Sequence, residues 1–283
     1  MTEGPVGVVG AGTMGSGIAQ CLAQAGYPVL VVEPNPVALD RARARVAESL
    51  RLAVLLRGPG KNSAISETTA RIEWSADPGV LRPATFVIEC VTERVELKEA
   101  VFAELDRHCA ADTVLASCTS AIPVTRLGAR VTHAERVIGL HFMNPAPLTE
   151  MVEVIVAPQT APNTLERSLS LIAALDKSAI VVGDRPGFVL NRVLMLLIGA
   201  AAAGLDTDTD AETVDALFEG CLGHRMGPLR TADLIGLDNV ADTIAVLRTE
   251  TGDDRYRVPP QLSRLVEAGH LGRKTGRGFH VYR

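Results

Sequence analysis

The chain is poor in cysteine, and what it has is not arranged for bonding or metal capture. Its five cysteines stand at positions 21, 90, 109, 118 and 221, with no C-x-x-C pair and no histidine at ligand spacing. Neither a disulfide framework nor a metal site is expected, and an odd, scattered set reads as reduced thiols in a cytosol-like compartment. Positive charge is not in excess either. The formal net charge is −5, which argues against a general nucleic-acid binder, because neutralising phosphates takes a basic face. Long hydrophobic runs are also missing. The most apolar stretch, VLMLLIGAAAAGL at 193–205, is too short to span a bilayer and reads as a buried helix. The opening MTEGPVGVVG has neither the basic start nor the cleavage site of a signal peptide. The expected location is cytoplasmic, and no internal repeat or low-complexity tract is evident.

What is present is material for a core. The 283 residues are 47% apolar and the mean hydropathy is positive, as in a compact globular protein of one large or two smaller domains. The first third alternates strand and helix signals. VGVV (6–9) ends in glycines, MGSGIAQCLAQA (14–25) has helical apolar spacing and stops at Gly26, and YPVLVVE (27–33) reads as a strand. A long amphipathic helix follows over 36–56, opened by Pro36. Further strands are expected at 84–91, 113–118, 136–141 and 151–156, mostly separated by helical stretches. Repeated β-α units imply an α/β fold with a Rossmann-type, mostly parallel sheet covered by helices. After AIVVGDRPG (179–187) helix signals dominate. The expected domains are therefore 1–183 and an all-helical 184–283, the second of about a hundred residues, a common domain size.

Gly10-Ala11-Gly12-Thr13-Met14-Gly15 is a G-x-G-x-x-G that follows a strand and opens a helix. A second strand then ends in Glu33, about twenty residues on. In that context Gly10 permits a tight turn, Gly12 lets the backbone approach a pyrophosphate, and Gly15 lets helix and strand pack closely. The helix N-terminus would face phosphates with its N–H groups and a favourable dipole. Glu33 can accept hydrogen bonds from the adenine-ribose hydroxyls and would repel a 2′-phosphate, and Pro34 offers no arginine to offset that. The cofactor is expected to be NAD rather than NADP.

The phrases VGAGTMGSGIAQ, IECVTERVELK, SCTSAIP, GLHFMNPAP with MVEV, DRPGFVLNR, MGPLRTADLIGLD and GRKTGRGF occur in one order across nearly the whole chain. Together they resemble the 3-hydroxyacyl-CoA dehydrogenase family, in the short single-function form that includes 3-hydroxybutyryl-CoA dehydrogenases. The resemblance implies hydride transfer between C3 of a 3-hydroxyacyl thioester and the nicotinamide. It makes His141 the base, paired with Glu153, and has Ser120 and Asn191 contact the substrate's oxygens. It places Glu93 and Lys98 on the nicotinamide side of the cofactor and Asn144 among the residues that bind it, with Thr13 and Met14 in the phosphate-binding turn. It also implies a homodimer joined through the helical domain.

The chemistry asks for these residue types. Oxidising a secondary alcohol requires its proton to leave with the hydride, and an imidazole titrates near the working pH. A carboxylate on the other ring nitrogen fixes the tautomer and stabilises the imidazolium. Local alternatives stand beside these roles: Ser120 as a helix N-cap ahead of Ile122 and Pro123, and Asn191 as a cap or packing residue of the helix after Gly187. His108, His133, His224, His270 and His280 find no partner in the sequence and read as structural, and Lys274 reads as part of a loop packing motif. Where most relatives read SNTSS, this chain has Ser117-Cys118-Thr119-Ser120-Ala121, a cysteine in place of an asparagine near the nicotinamide.

Three rival readings remain at this stage. The first is a non-catalytic NAD-binding structural protein. The second is a hydroxyacid dehydrogenase with a catalytic lysine, which LHFMNP and MVEV disfavour. The third keeps the chemistry but puts the 3-hydroxyacyl group on an acyl carrier protein. In CoA-using relatives the long helix after the second strand carries lysines near its C-terminal end. Here that stretch is SLRLAVLLRGPGK, with Leu55 and Leu56 where lysine is expected, although Arg51, Arg57 and Lys61 lie close by. GCLGHRMGPLRTADLIGLDN also resembles family members that oxidise a carrier-bound glyceryl group for polyketide extender units.

Overall fold

Apolar, β-branched runs of four to six residues make the strands, and amphipathic stretches make the helices between them. The computed structural model describes residues 4–57 and 63–282. They divide into two units, Met1–Thr119 with Pro123–Asp184, and Ser120–Ile122 with Arg185–Arg283. The sequence places one break near 184; in the structure the second unit also takes up the three residues 120–122.

The first unit is built on one sheet of β1 (Val6–Val9), β2 (Val29–Val32), β3 (Ile72–Ser75), β4 (Phe86–Glu89), β5 (Val114–Ser117), β6 (Val137–Phe142), β7 (Met151–Val156) and β8 (Ser178–Gly183). Their order is β3-β2-β1-β4-β5-β6-β7-β8. Every neighbouring pair is parallel except β6 and β7, which run antiparallel. The helices α1 (Thr13–Gln24), α2 (Pro36–Arg57), α3 (Ser63–Ala70), α4 (Val95–His108), α5 (Val124–Gly128) and α6 (Pro162–Ala174) connect these strands. Strands β1, β2, β4, β5 and β6 are buried throughout, as expected of a sheet covered on both faces. The chain reverses direction across the sheet between β1 and β4, the crevice where doubly wound folds bind ligands at the carboxyl ends of their strands. β3 and β8 are strands that the sequence reading leaves out.

The second unit is helical: α7 (Leu190–Ala203), α8 (Ala211–Leu222), α9 (Pro228–Ile235), α10 (Leu237–Thr251) and α11 (Pro260–Glu267). Its core gathers Met195 and Ile198 of α7, Ala232 of α9, Val240, Ile244 and Leu247 of α10, and Leu262 of α11 around Ala121. Among the described residues no helix is long and apolar enough to cross a membrane.

Candidate active site

The turn from β1 into α1 is shaped by two close approaches. Gly10 has φ +93°, and a Cβ there would lie 2.9 Å from the carbonyl carbon and oxygen of Cys90. At Gly15 a Cβ would lie 1.8 Å from the Gly10 carbonyl oxygen. Gly12 is the opposite case, with nothing within 4 Å of the place a Cβ would take. The backbone is thus packed from below and open above, at the N-terminus of a helix whose first turn carries no acidic side chain. An anion meets a helix dipole there with no competing charge. Glu33, just past β2, is fixed beside this turn: Oε2 accepts from the Ala11 N–H at 3.1 Å and Oε1 from the Asn35 N–H at 3.0 Å. A cavity of about 720 Å³ opens here, lined by Gly10, Gly12, Glu33, Cys90, Leu97 and Val101 among others. Open space above the turn, a bare helix terminus and an acid poised at the second strand fit a dinucleotide.

One crossover further, the ends of β4 and β5 hold a buried polar network. Lys98 of α4 is fully buried and donates to Glu89 Oε1 at 2.8 Å and Oε2 at 3.0 Å, with Glu93 Oε2 at 3.4 Å. Ser117 Oγ donates to Glu89 Oε2 at 2.6 Å, Val91 N–H to Glu89 Oε1 at 2.6 Å, and Thr119 Oγ1 to Glu93 Oε1 at 2.6 Å. Burial alone would push the Lys98 ammonium down; the Glu89 and Glu93 carboxylates outweigh it and hold the ammonium above its ordinary range. A lysine so held keeps its proton and cannot serve as a base at neutral pH. Glu93 and Lys98 are foreseen from the family resemblance, but Glu89, which anchors Lys98, is not. Its one signal is an acid closing the apolar run FVIE, with partners 9 and 28 residues away.

His141 and Glu153 face each other in register across the antiparallel β6–β7 pair. His141 Nδ1 lies 2.9 Å from Glu153 Oε2, and the two side chains are 7% and 9% exposed. The β6–β7 reversal creates this contact, because directly opposite residues on adjacent strands point to the same face. Asn144, partly buried, follows β6 and is joined to Pro145 by a cis peptide. Thr13 begins α1, where its carbonyl accepts from Ser16 Oγ at 3.2 Å, and Met14 packs on the main core. In the second unit, Asn191 in the first turn of α7 donates from Nδ2 to the Ser120 carbonyl at 2.8 Å. The N-cap of α5 is Pro123 and that of α7 is Val189; neither Ser120 nor Asn191 occupies a cap position. The structure therefore joins His141 to Glu153, Ser120 to Asn191, Glu93 to Lys98, and Glu33 to the glycine turn.

Several side chains that read as structural also have partners, among them His133, with Nδ1 3.1 Å from Glu135 Oε1, and His108, with Nε2 3.9 Å from Glu104 Oε1. His280 is buried against two carboxylates, with Nε2 2.7 Å from Asp215 Oδ2 and Nδ1 3.4 Å from Glu212 Oε2, which corrects the expectation that it finds none. Lys274 bonds Asp238 at 2.6 Å, a contact between its loop and α10.

Residues 5–185 match the 3-hydroxyacyl-CoA dehydrogenase NAD-binding domain, and residues 187–282 match that enzyme's C-terminal domain. The chain belongs to the 3-hydroxyacyl-CoA dehydrogenase family. A probable 3-hydroxybutyryl-CoA dehydrogenase of Bacillus subtilis is 39% identical over 97% of this chain and 96% of its own. A 3-hydroxybutyryl-CoA dehydrogenase of Mycobacterium tuberculosis is 39% identical over 98% of both chains. Among solved structures, M. tuberculosis FadB2 superposes with a TM-score of 0.93 at 38% identity over 98% of each chain. The (S)-3-hydroxybutyryl-CoA dehydrogenase PaaH1 of Ralstonia eutropha gives 0.87 at 38% identity over 99% of each. Membership makes the chain one of a family of NAD-dependent oxidoreductases, with NAD as the cofactor of the first unit.

Proposed function

We propose that the protein oxidises, or in reverse forms, the C3 alcohol of a 3-hydroxyacyl-CoA thioester, with His141 as the acid/base. The observation that carries this reading is the buried His141–Glu153 contact of 2.9 Å. In the family to which the chain belongs, the bound NAD supplies the hydride acceptor. His141 takes the C3 hydroxyl proton as the hydride departs, and Glu153, on Nδ1, holds the tautomer that leaves Nε2 for the substrate. Glu153 also stabilises the imidazolium that forms. Ser120 and Asn191 hold the C3 oxygen and the thioester carbonyl by neutral hydrogen bonds. The Asn191 bond to the Ser120 carbonyl supports a joint role for the two. Glu93 and Lys98, the lysine held by Glu89, line the nicotinamide side without exchanging protons, and Asn144 contributes to the same wall. Glu33 selects NAD over NADP, and Glu33→Ala should narrow that preference, read as kcat/KM with each cofactor.

The test is NADH formation across a panel of 3-hydroxyacyl-CoA thioesters. Turnover of none of them by a protein that binds NADH would overturn the reading and favour a structural NAD-binding protein. A second reading, the same chemistry on a carrier-protein thioester, draws on the sequence SLRLAVLLRGPGK; the side chains of Leu55, Leu56 and Arg57, and residue Lys61, lie outside the described residues. Comparing kcat/KM for one 3-hydroxyacyl group on CoA and on a carrier protein separates the two. We further propose a cytoplasmic homodimer joined through the helical unit. The exposed apolar side chains Val193, Leu217 and Leu222 support this, and light scattering reporting a monomer at micromolar concentration would rule it out.

A further inference from the structure

Two cysteines stand side by side at the carboxyl ends of β4 and β5. The register pairs Glu89 with Ser117, and Cys90 and Cys118 are the next step of that ladder. Cys118 N–H donates to the Glu89 carbonyl and Cys90 N–H to the Val9 carbonyl, each at 2.7 Å. In-register neighbours on adjacent strands sit about 5 Å apart at Cα and point to one face. Disulfides need about 4.4–6.8 Å between Cα atoms, so the pair is within bonding reach. The two thiols perturb each other's ionisation, Cys118 pushing Cys90 up and Cys90 pulling Cys118 down, while Cys90 Sγ lies 3.8 Å from the Ile88 carbonyl oxygen.

The surroundings divide the labour between them. Cys90, the nearby His141 and Lys98 side chains and a bond from the Phe142 N–H pull the Cys118 thiol down against its burial. Its contact with Cys118, and then burial, push the Cys90 thiol well up. Cys118 is therefore the more readily ionised of the two and Cys90 the thiol placed to resolve it. Cys90 also lines the cavity beside the glycine turn. It is the residue whose backbone crowds Gly10, and its Cβ would stand 3.3 Å from a Cβ at Gly15.

We propose that Cys90 and Cys118 are a dithiol site for reversible oxidation by a peroxide, and that the disulfide displaces the glycine turn and weakens NAD binding. The proposal rests on that turn being the NAD site. Cys118 thiolate attacks the peroxide: an S–O bond forms, the O–O bond breaks, and the departing hydroxide takes a proton to leave as water. The Cys90 sulfur then attacks the sulfenic sulfur, forming S–S and breaking S–O, and its proton leaves with the hydroxide as a second water. Two thiols and one hydrogen peroxide give one disulfide and two waters. Drawing the β-carbons of adjacent parallel strands to disulfide distance moves Cys90 by about an ångström. Gly10 has no slack to absorb that movement, and a misplacement of about 1 Å in a binding constellation costs up to about a hundredfold. A strained disulfide of this kind is readily reduced.

The test treats the reduced enzyme with equimolar hydrogen peroxide and reads three quantities: thiols titrated after denaturation, disulfide-linked peptides by mass, and NADH affinity by fluorescence. Expected are the loss of two of the five thiols, a linked Cys90–Cys118 peptide pair, and an NADH Kd raised about tenfold or more, all reversed by dithiothreitol. Cys90→Ser and Cys90→Ala should each abolish the reversible loss relative to their own untreated state, while Cys221→Ser stays as sensitive as the parent. A different linked pair, no linked pair, or a Cys90–Cys118 disulfide with unchanged NADH affinity would overturn the proposal. Failure of the reduced enzyme to bind NADH would instead strike at the NAD site itself.

Discussion

Each unit of the molecule buries one histidine against a carboxylate, and the two pairs are built differently. His141 and Glu153 meet side chain to side chain, while their backbones belong to a regular antiparallel ladder. Asp215 does more than meet His280: its two oxygens also accept the N–H groups of Leu229 and Arg230 at 2.9 and 2.8 Å, in the first turn of α9. The His280 N–H in turn donates to Asp233 at 2.9 Å, and Asp233 also takes the Phe279 N–H and the Tyr282 hydroxyl. The second pair ties a helix start to the end of the chain. The first is held by a sheet that stands whether or not the imidazole is there. Burial and a short N···O distance are common to both pairs; the two helix-start donors on Asp215 mark that carboxylate as part of the scaffold.

This contrast makes an ordered set of expectations, since in one pair the histidine should matter most and in the other the acid. His141→Gln should lower kcat by about 10³-fold while the Kd for NADH stays within about twofold; a kcat near the parent's would remove His141 from the chemistry. Asp215→Asn should cost about 3 kcal/mol, because a buried partner and two helix-start donors lose their acceptor charge. That corresponds to a fall of about 6–10 °C in Tm, with kcat/KM of the folded protein near the parent's. Glu153→Gln should lower kcat by about 10²-fold, mainly by weakening the imidazolium, with Tm shifted by about 2 °C or less. His280→Gln is the mildest, about 1 kcal/mol by calorimetry, because Asp215 keeps its two backbone donors. If His280→Gln proved costlier than Asp215→Asn, the scaffold reading of that pair would be inverted.

The glycine turn and Glu33 were legible in the sequence because the spacing is set by backbone geometry that few other residues allow. His141 and Glu153 were legible as a pair only through the family resemblance. Strand signals carry no direction, so the β6–β7 reversal that makes them opposite neighbours could not be read from GLHF and MVEV. β3 was missed because IEWS is short and mixed, and β8 because SAIVVG merges into the loop that follows. Glu89 and the Asp215–His280 contact were invisible for another reason. Their partners lie up to 28 and 65 residues away, and a single acid in an apolar run does not announce which distant group it will satisfy.

An exchange of the helical unit between relatives has to carry residues 120–122 along with the stretch after 184. Ala121 sits in the apolar centre of that unit, its carbonyl takes the Gly187 N–H at 3.0 Å, and Ser120 supplies the acceptor for Asn191. A fragment begun at Arg185 would therefore lack a small plug and two acceptors at the start of α7, and a chimera spliced there would inherit another protein's plug. During synthesis the plug emerges well ahead of the helices that enclose it, so the last third of the chain closes around a piece already made.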